Sequence, residues 1–299
     1  MEIGLIGLGK MGRNLALNML DNDFTVLGYD PYLKQETKDK HKKIVFKESI
    51  KSMVDALKTP RVIWIMVPAG ETTDAVIHEL SSYLDSNDIV IDGGNSKYKD
   101  SIKHANILSR KHIKFLDVGT SGGQAGARYG ACLMIGGDKS AYEYVEPLFK
   151  SVAQDDGYAY MGKSGSGHFV KMIHNGIEYG MMQAIGEGFD LLEASQFDLD
   201  YERIAKVWAN GSIIEGLLMK MVLSAFEKDD TLSNIKGRVD DSGEGQWTIE
   251  EALELKVSIP VIAQALFSRY KSRDDTKFAE KVIAAMRNEF GGHKVYKKE

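Results

Sequence analysis

Over the first 160 residues, short apolar and β-branched runs alternate with longer segments whose apolar positions recur at helical spacing. The runs "IGLIG" (3–7), "FTVLGYD" (24–30), "RVIWIMV" (61–67), "DIVIDGG" (88–94) and "IKFLDV" (113–118) predict strands. Helices are expected between them near 11–21, 31–40, 48–57, 71–84 and 97–111. That alternation predicts a doubly wound parallel sheet with helices on both faces. "ACLMIGG" (131–137) and "GYAYMG" (157–162) read as further strands flanking a helix at 140–150. From Gly165 onward the period changes. Helical spacing dominates 167–194, 201–226, 249–271 and 275–289, with no convincing strand. The expected fold class is α/β plus all-α, with an α/β domain over 1–164 and a helical domain over 165–299.

One stretch of the long first helix, "FVKMIHNGIEYG" (169–180), breaks the ordinary pattern. On an α-helix, Lys171, His174, Asn175 and Glu178 fall within one arc of about 100°. The continuation "MMQAIGEGFDLLEA" is mostly apolar or small, as in a helix covered on most sides. A base, an imidazole, an amide and an acid in one row on such a helix point to chemistry rather than to a solvated stripe.

Composition narrows the possibilities. The chain has 299 residues, 43% apolar and 27% charged, as in a globular protein with a substantial core. With a net charge of −5 and no dense basic run, no nucleic-acid partner is expected. The terminal "KVYKKE" reads as a solvated tail. The longest dense apolar stretch, "VIWIMVPA", is far too short to span a bilayer, so no membrane partner is expected. A single cysteine, Cys132, excludes an internal disulfide and fits a reducing compartment. In its apolar strand it is expected to be an inert buried thiol. Strand-like sequence beginning at Glu2 leaves no room for a signal peptide, so a cytoplasmic location is expected.

"GLIGLGKMG" places Gly7, Gly9 and Gly12 in the G-x-G-x-x-G spacing, directly after a strand and at a helix start. The first glycine makes the turn, the second lets backbone approach a pyrophosphate, and the third packs helix on strand. The helix start then offers N–H groups and a positive dipole end to the phosphates. Asp30 ends the second strand, where a carboxylate accepts from both ribose hydroxyls and repels a 2′-phosphate. No arginine follows it; the next residues are Pro31 and Tyr32. These features predict a Rossmann-type domain that prefers NAD, with NADP as the weaker cofactor and no metal.

The fingerprint, "DGGNS" (92–96), "GTSGGQAGARYG" (119–130), "GHFVKMIHNGIEYG" (167–180), "GEGQWT" (243–248) and "RNEFGGH" (287–293) together resemble the decarboxylating 6-phosphogluconate dehydrogenases. The match runs in order from end to end, and is similar to the short-chain branch that lacks a longer C-terminal region. The resemblance implies oxidative decarboxylation of 6-phosphogluconate to ribulose 5-phosphate in the pentose phosphate pathway. It implies Lys171 as the base that then polarises the carbonyl, and Glu178 as the acid that protonates the product carbon. To serve as base, Lys171 must be neutral against a reference pKa of about 10.4, and desolvation under the cofactor is the expected cause.

By the same resemblance, Ser121, Gly122 and Gly123 cradle the substrate carboxylate, His174 and Asn175 hold hydroxyls and carboxylate, and Asn95 reaches both substrate and nicotinamide. Cofactor contacts extend to Leu8, Lys10, Met11, Tyr29, Val67, Pro68 and Ala69. The phosphate is expected on Tyr179, Thr248, Arg269 and Arg287, with His293 nearby, because arginine binds a dianion in a bidentate manner. Gln246 departs from the family by standing where a basic residue is usual. The helical domain is implied to bind substrate and to assemble a homo-oligomer, dimer or tetramer, in which Arg287 and His293 reach a neighbouring subunit. A relative acting on a small unphosphorylated β-hydroxyacid would keep Lys171 and Asn175 but need neither Glu178 nor the Arg287…His293 pair. A non-catalytic dinucleotide-binding protein would have no use for Lys171 and Glu178 together.

Overall fold

The computed structural model describes residues 1–297, so the last two residues of the basic tail lie outside the described part. It divides into two compact units, Met1–Asn175 and Gly176–Glu299. The first unit alternates β1 (Glu2–Ile6), α1 (Lys10–Asp21), β2 (Thr25–Tyr29), α2 (Gln35–Lys40), β3 (Val45–Phe46), α3 (Ile50–Ala56), β4 (Val62–Ile65) and α4 (Glu71–Leu80). It continues with β5 (Ile89–Asp92), α5 (Tyr98–Ser109), β6 (Lys114–Ser121), α6 (Gly123–Tyr129), β7 (Ala131–Gly137), α7 (Lys139–Val152) and β8 (Ala153–Gly162).

The eight strands form one sheet in the order β3-β2-β1-β4-β5-β6-β7-β8. Every neighbouring pair is parallel except β6 and β7. Alternate residues feed opposite faces, as the pleat requires. Ile3, Leu5, Val62, Trp64, Ile89 and Ile91 join one core with Leu15, Met19, Val145 and Phe149. Ile6, Ile63, Ile65 and Val90 join the other with Met53, Ile77, Leu80 and Leu108. Both faces are thus covered, and each fully buried aliphatic side chain contributes roughly 1.5–3 kcal/mol. Strand order reverses between β1 and β4, which opens a crevice at their carboxyl ends.

Three differences from the sequence reading have physical causes. The glycine-rich segment after β6 contains α6, seven residues long. A link that short returns the chain beside its own strand, so β7 runs antiparallel to β6; a parallel neighbour needs a full crossover. β3, of only two residues, is too short to register as a pattern. Cys132 is exposed rather than buried, on a strand whose next five residues are all buried.

The chain passes into the second unit along α8 (Ser166–Glu193). Its continuation over 181–194, expected to be covered on most sides, has no buried residue, because an apolar run records what a helix can bury and not what packs on it. There follow α9 (Tyr201–Trp208), α10 (Leu217–Phe226), α11 (Glu244–Leu255), α12 (Pro260–Ser272) and α13 (Phe278–Gly291). The helix expected over 201–226 is two, because Gly211 (φ +83°) and Gly216 (φ +155°) leave the helical region. The helix expected over 249–271 also breaks: Lys256 takes a left-handed conformation and Pro260 opens α12. Phe189, Tyr201, Trp208 and Phe226 pack as an aromatic cluster, with centroid separations from Phe189 of 5.2–6.3 Å. Tyr179, Ala265 and Leu266 form a small core with Ile249 beside it. No helix among the described residues is long and apolar enough to cross a membrane.

Candidate active site

The glycine loop joins β1 to α1 at the carboxyl edge of the sheet, beside the crevice. Its three glycines have different surroundings. Gly7 has φ +90°, and a Cβ there would stand 2.4 Å from the Met66 carbonyl oxygen. At Gly12 a Cβ would stand 2.0 Å from the Gly7 carbonyl oxygen, so only hydrogen lets α1 close on the loop. A Cβ at Gly9 would meet nothing within 4 Å. Gly9 is also the N-cap of α1, with no side-chain cap. Two glycines are therefore required by the chain itself and one faces open space, the arrangement a pyrophosphate needs. Lys10 and Met11 open the helix, and Leu8 is buried in the sheet core.

Asp30 follows β2 and Tyr29. Its Oδ2 accepts from the Leu8 N–H at 2.8 Å and its Oδ1 from the Tyr32 N–H at 2.8 Å. The carboxylate ties the glycine loop to the end of β2 while remaining partly exposed. The Tyr32 side chain is 91% exposed. Val67, Pro68 and Ala69 form the loop after β4, where the Thr73 hydroxyl donates to the Pro68 carbonyl at 2.9 Å. Asn95 is exposed in the loop after β5, whose turn is held by Gly94 N–H donating to the buried Asp92 at 3.1 Å. The residues expected to hold a dinucleotide thus lie after β1, β2, β4 and β5 on one edge, and the cradle fits the group.

β6 brings a second set to the same edge. Ser121 ends it, and Gly122 (φ +105°) and Gly123 (φ +62°) start α6 in a conformation that side chains avoid. Ser121 Oγ lies 3.3 Å from His174 Nε2, and His174 Nδ1 lies 3.0 Å from Asn175 Oδ1. An amide oxygen only accepts, so Nδ1 donates to Asn175 Oδ1. Three expected substrate ligands are thereby joined in one chain of hydrogen bonds.

Lys171 is 8% exposed and Asn175 is 9% exposed. The Lys171 stem lies against β6 where Gly119 has no side chain; a Cβ there would stand 2.3 Å from the Lys171 Cβ. Gly119 opens the "GTSGGQAGARYG" motif just past the strand expected over 113–118; β6 extends through it to Ser121, which is what sets it against Lys171.

In the second unit, Tyr179 is buried, and its hydroxyl accepts from the Ser242 N–H at 3.3 Å. The Arg269 guanidinium carbon lies 3.6 Å from the Tyr179 ring centroid, and Nη1 donates to the Asp240 carbonyl at 2.8 Å. Thr248 is 2% exposed and its hydroxyl donates to the Glu244 carbonyl at 2.8 Å. Gln246 is exposed and donates to Glu250 at 2.9 Å. Arg287 and His293 are exposed at the end of α13. Gly292 (φ +63°) turns the chain so that the His293 ring returns over Gly291, where a Cβ would stand 2.8 Å from it. Among the described residues no group of three or more His, Cys, Asp or Glu side chains is placed to hold a metal ion.

Residues 2–166 match the family model for the NAD binding domain of 6-phosphogluconate dehydrogenase, and residues 167–299 match that for its C-terminal domain. The chain is 52% identical over 300 residues to YqeC of Bacillus subtilis, provisionally named a 6-phosphogluconate dehydrogenase, with full coverage of both chains. It is 42% identical over 301 residues to the NAD(+)-dependent, decarboxylating 6-phosphogluconate dehydrogenase of Haloferax volcanii, again with full coverage of both. Among solved structures it is similar to the Plasmodium falciparum 6-phosphogluconate dehydrogenase, described with NADP+ and with 6-phosphogluconate. That likeness has a TM-score of 0.83 at 30% identity and covers 100% of this chain and 66% of the other.

Proposed function

Because the chain belongs to the 6-phosphogluconate dehydrogenase family, we propose that it oxidatively decarboxylates 6-phosphogluconate to ribulose 5-phosphate and CO2, with NAD as the preferred acceptor. The observation that carries this reading is the buried Lys171 on α8, beside the linked Ser121, His174 and Asn175, with Glu178 two turns further along the same helix. A bound nicotinamide supplies the hydride acceptor. Neutral Lys171 takes the proton of the C3 hydroxyl as that carbon is oxidised. The resulting ammonium then donates a hydrogen bond to the new C3 carbonyl, drawing in the electron pair freed when the carboxylate leaves as CO2. The ammonium proton passes to that oxygen to give the enediol; Glu178 then gives a proton to the carbon that lost CO2 while Lys171 takes back the proton of the enol hydroxyl, which leaves the ketone. In this reading Ser121, Gly122 and Gly123 cradle the carboxylate, His174 and Asn175 hold hydroxyls and carboxylate, Asn95 reaches both substrate and nicotinamide, and Tyr179, Thr248, Arg269 and Arg287, with His293 nearby, take the phosphate.

The NAD preference rests on Asp30 just past the end of β2, where a carboxylate would accept from the ribose hydroxyls and repel a 2′-phosphate. Assembly as a homo-oligomer is part of the same reading. On α13 no described side chain is buried, and Phe278 (70%), Ile283 (52%) and Met286 (52%) are exposed. An apolar helix face of that kind fits a symmetric contact between copies. One observation favours a second reading, a small unphosphorylated β-hydroxyacid. Gln246 adds no positive charge and is engaged by Glu250, so the anion site is weaker than its relatives would have.

The test is a spectrophotometric assay of 6-phosphogluconate with NAD and NADP in parallel, with CO2 release measured alongside. Dinucleotide reduction matched by CO2 supports the proposal. Reduction only with unphosphorylated β-hydroxyacids replaces it with the second reading.

A further inference from the structure

The start of α8 is held in an unusual way. The local hydroxyl, Ser166 Oγ, is buried with no hydrogen-bond partner among the described residues. The first N–H groups instead reach a carboxylate from another element. Asp117, in the middle of β6 and fully buried, accepts from Gly165 N–H at 2.7 Å through Oδ1 and from His168 N–H at 3.0 Å through Oδ2. His168, in the same turn, is fastened to α5 through Ser101 Oγ, 2.7 Å from its Nδ1.

The helix is also pressed onto the sheet with no side chains between. A Cβ at Gly167 would stand 2.3 Å from the Asp117 carbonyl oxygen and 2.5 Å from that of Met134. At Gly136 it would stand 2.5 Å from the Gly167 nitrogen, and at Gly119, two residues after Asp117, 2.3 Å from the Lys171 Cβ. The carboxylate and three glycines form one seam, and Lys171 is the residue at its end. An anion accepting from the first turn of a helix is favoured by the dipole as well as by the hydrogen bonds.

We propose that Asp117 is the positioning residue for Lys171: it seats the first turn of α8 on β6, so that the lysine stem lies over Gly119 with its amine at a set height above the sheet. Asp117 itself touches no reacting atom. Asp117→Asn keeps the shape but leaves one amide oxygen for two N–H groups and turns a donor toward one of them. The seam then loosens at the turn before Lys171, while the glycine loop on β1 is untouched.

The inference uses the functional reading above only for its kinetic arm, so a second measurement is made without substrate. Trace acetylation with lysine-by-lysine mass spectrometry reports Lys171 labelling relative to the exposed Lys220. In folded Asp117→Asn the labelling of Lys171 is expected to rise at least threefold. Over the same comparison kcat falls at least tenfold, with the Kd for NAD within twofold of wild type. A purely structural carboxylate would lower Tm but leave labelling and kcat unchanged well below it. A rise in Lys171 labelling of less than threefold overturns the proposal, as does a fall in kcat of less than tenfold in an enzyme that turns over. If wild type shows no turnover, the functional reading fails and labelling alone decides this one. Should Asp117→Asn not fold, Asp117→Ser, which keeps one acceptor and turns no amide donor toward either N–H, is read by the same criteria.

Discussion

Replacing Asp30 by asparagine separates the two tasks of this side chain. The substitution is isosteric, so the loop after β2 keeps its shape, but the charge and one acceptor oxygen are lost. The wild-type carboxylate accepts from Leu8 and Tyr32 at 2.8 Å each. Losing one such bond in a partly exposed setting costs about 1 kcal/mol, and because it loosens the glycine loop it weakens NAD and NADP alike, by roughly fivefold. The charge acts on one cofactor only. A 2′-phosphate of charge about −2 at about 5 Å from the carboxylate is repelled by about 1.7 kcal/mol even at the dielectric of water. Removing that repulsion is worth roughly 15- to 20-fold, less with salt.

The ratio of kcat/KM for NAD to that for NADP should therefore fall about 5- to 20-fold, while NAD activity itself falls about fivefold. Initial rates at 340 nm with each dinucleotide, at low and high salt, measure both numbers. The shift should shrink as salt rises. A ratio unchanged within twofold, together with the expected loss of NAD activity, would refute the reasoning. Asp30 would then be a turn residue that holds Leu8 and Tyr32 and faces no ribose.

Further outcomes concern the helix row, the glycine loop and the C-terminal end. Lys171→Met should abolish hydride transfer and Glu178→Gln should slow product formation, by about 10²–10⁴-fold each, with NAD binding by fluorescence titration little changed; near-normal turnover would remove either residue from its role. Gly9→Ala should leave Tm unchanged, since its Cβ meets nothing within 4 Å, and raise the Kd for NAD at least tenfold. Gly12→Ala should instead destabilise the fold by about 1–3 kcal/mol through the 2.0 Å clash with Gly7, read as a lower denaturation midpoint. Truncation after Glu289 should weaken substrate binding without unfolding the chain, and mixed Lys171→Met and Arg287→Ala subunits should regain activity in hybrids. No recovery in verified hybrids would mean that each site is built within one chain.

What the sequence determined by itself is local. A strand, a glycine turn and a helix start are specified by neighbours a few residues apart, so β1, the loop and α1 were legible, as was the polar row on α8. Both depend on a fixed period and on the conformational freedom of glycine, which act without long-range partners. The antiparallel turn of β7 depended on the length of a connection that hides its own helix, α6. The breaks at Gly211, Gly216 and Lys256 interrupt a hydrophobic period that continues across them, and periodicity does not record a change of φ. Only the tertiary structure joined Ser121 to His174, 53 residues apart, and laid Lys171 over Gly119. Only it turned Asp30 toward Leu8 and placed Asp117 at the start of α8. Such contacts form between segments distant in the chain, where a missing Cβ or a buried carboxylate has meaning only once the opposing surface has arrived. A sequence names the groups available for chemistry, but packing sets the distances at which they act.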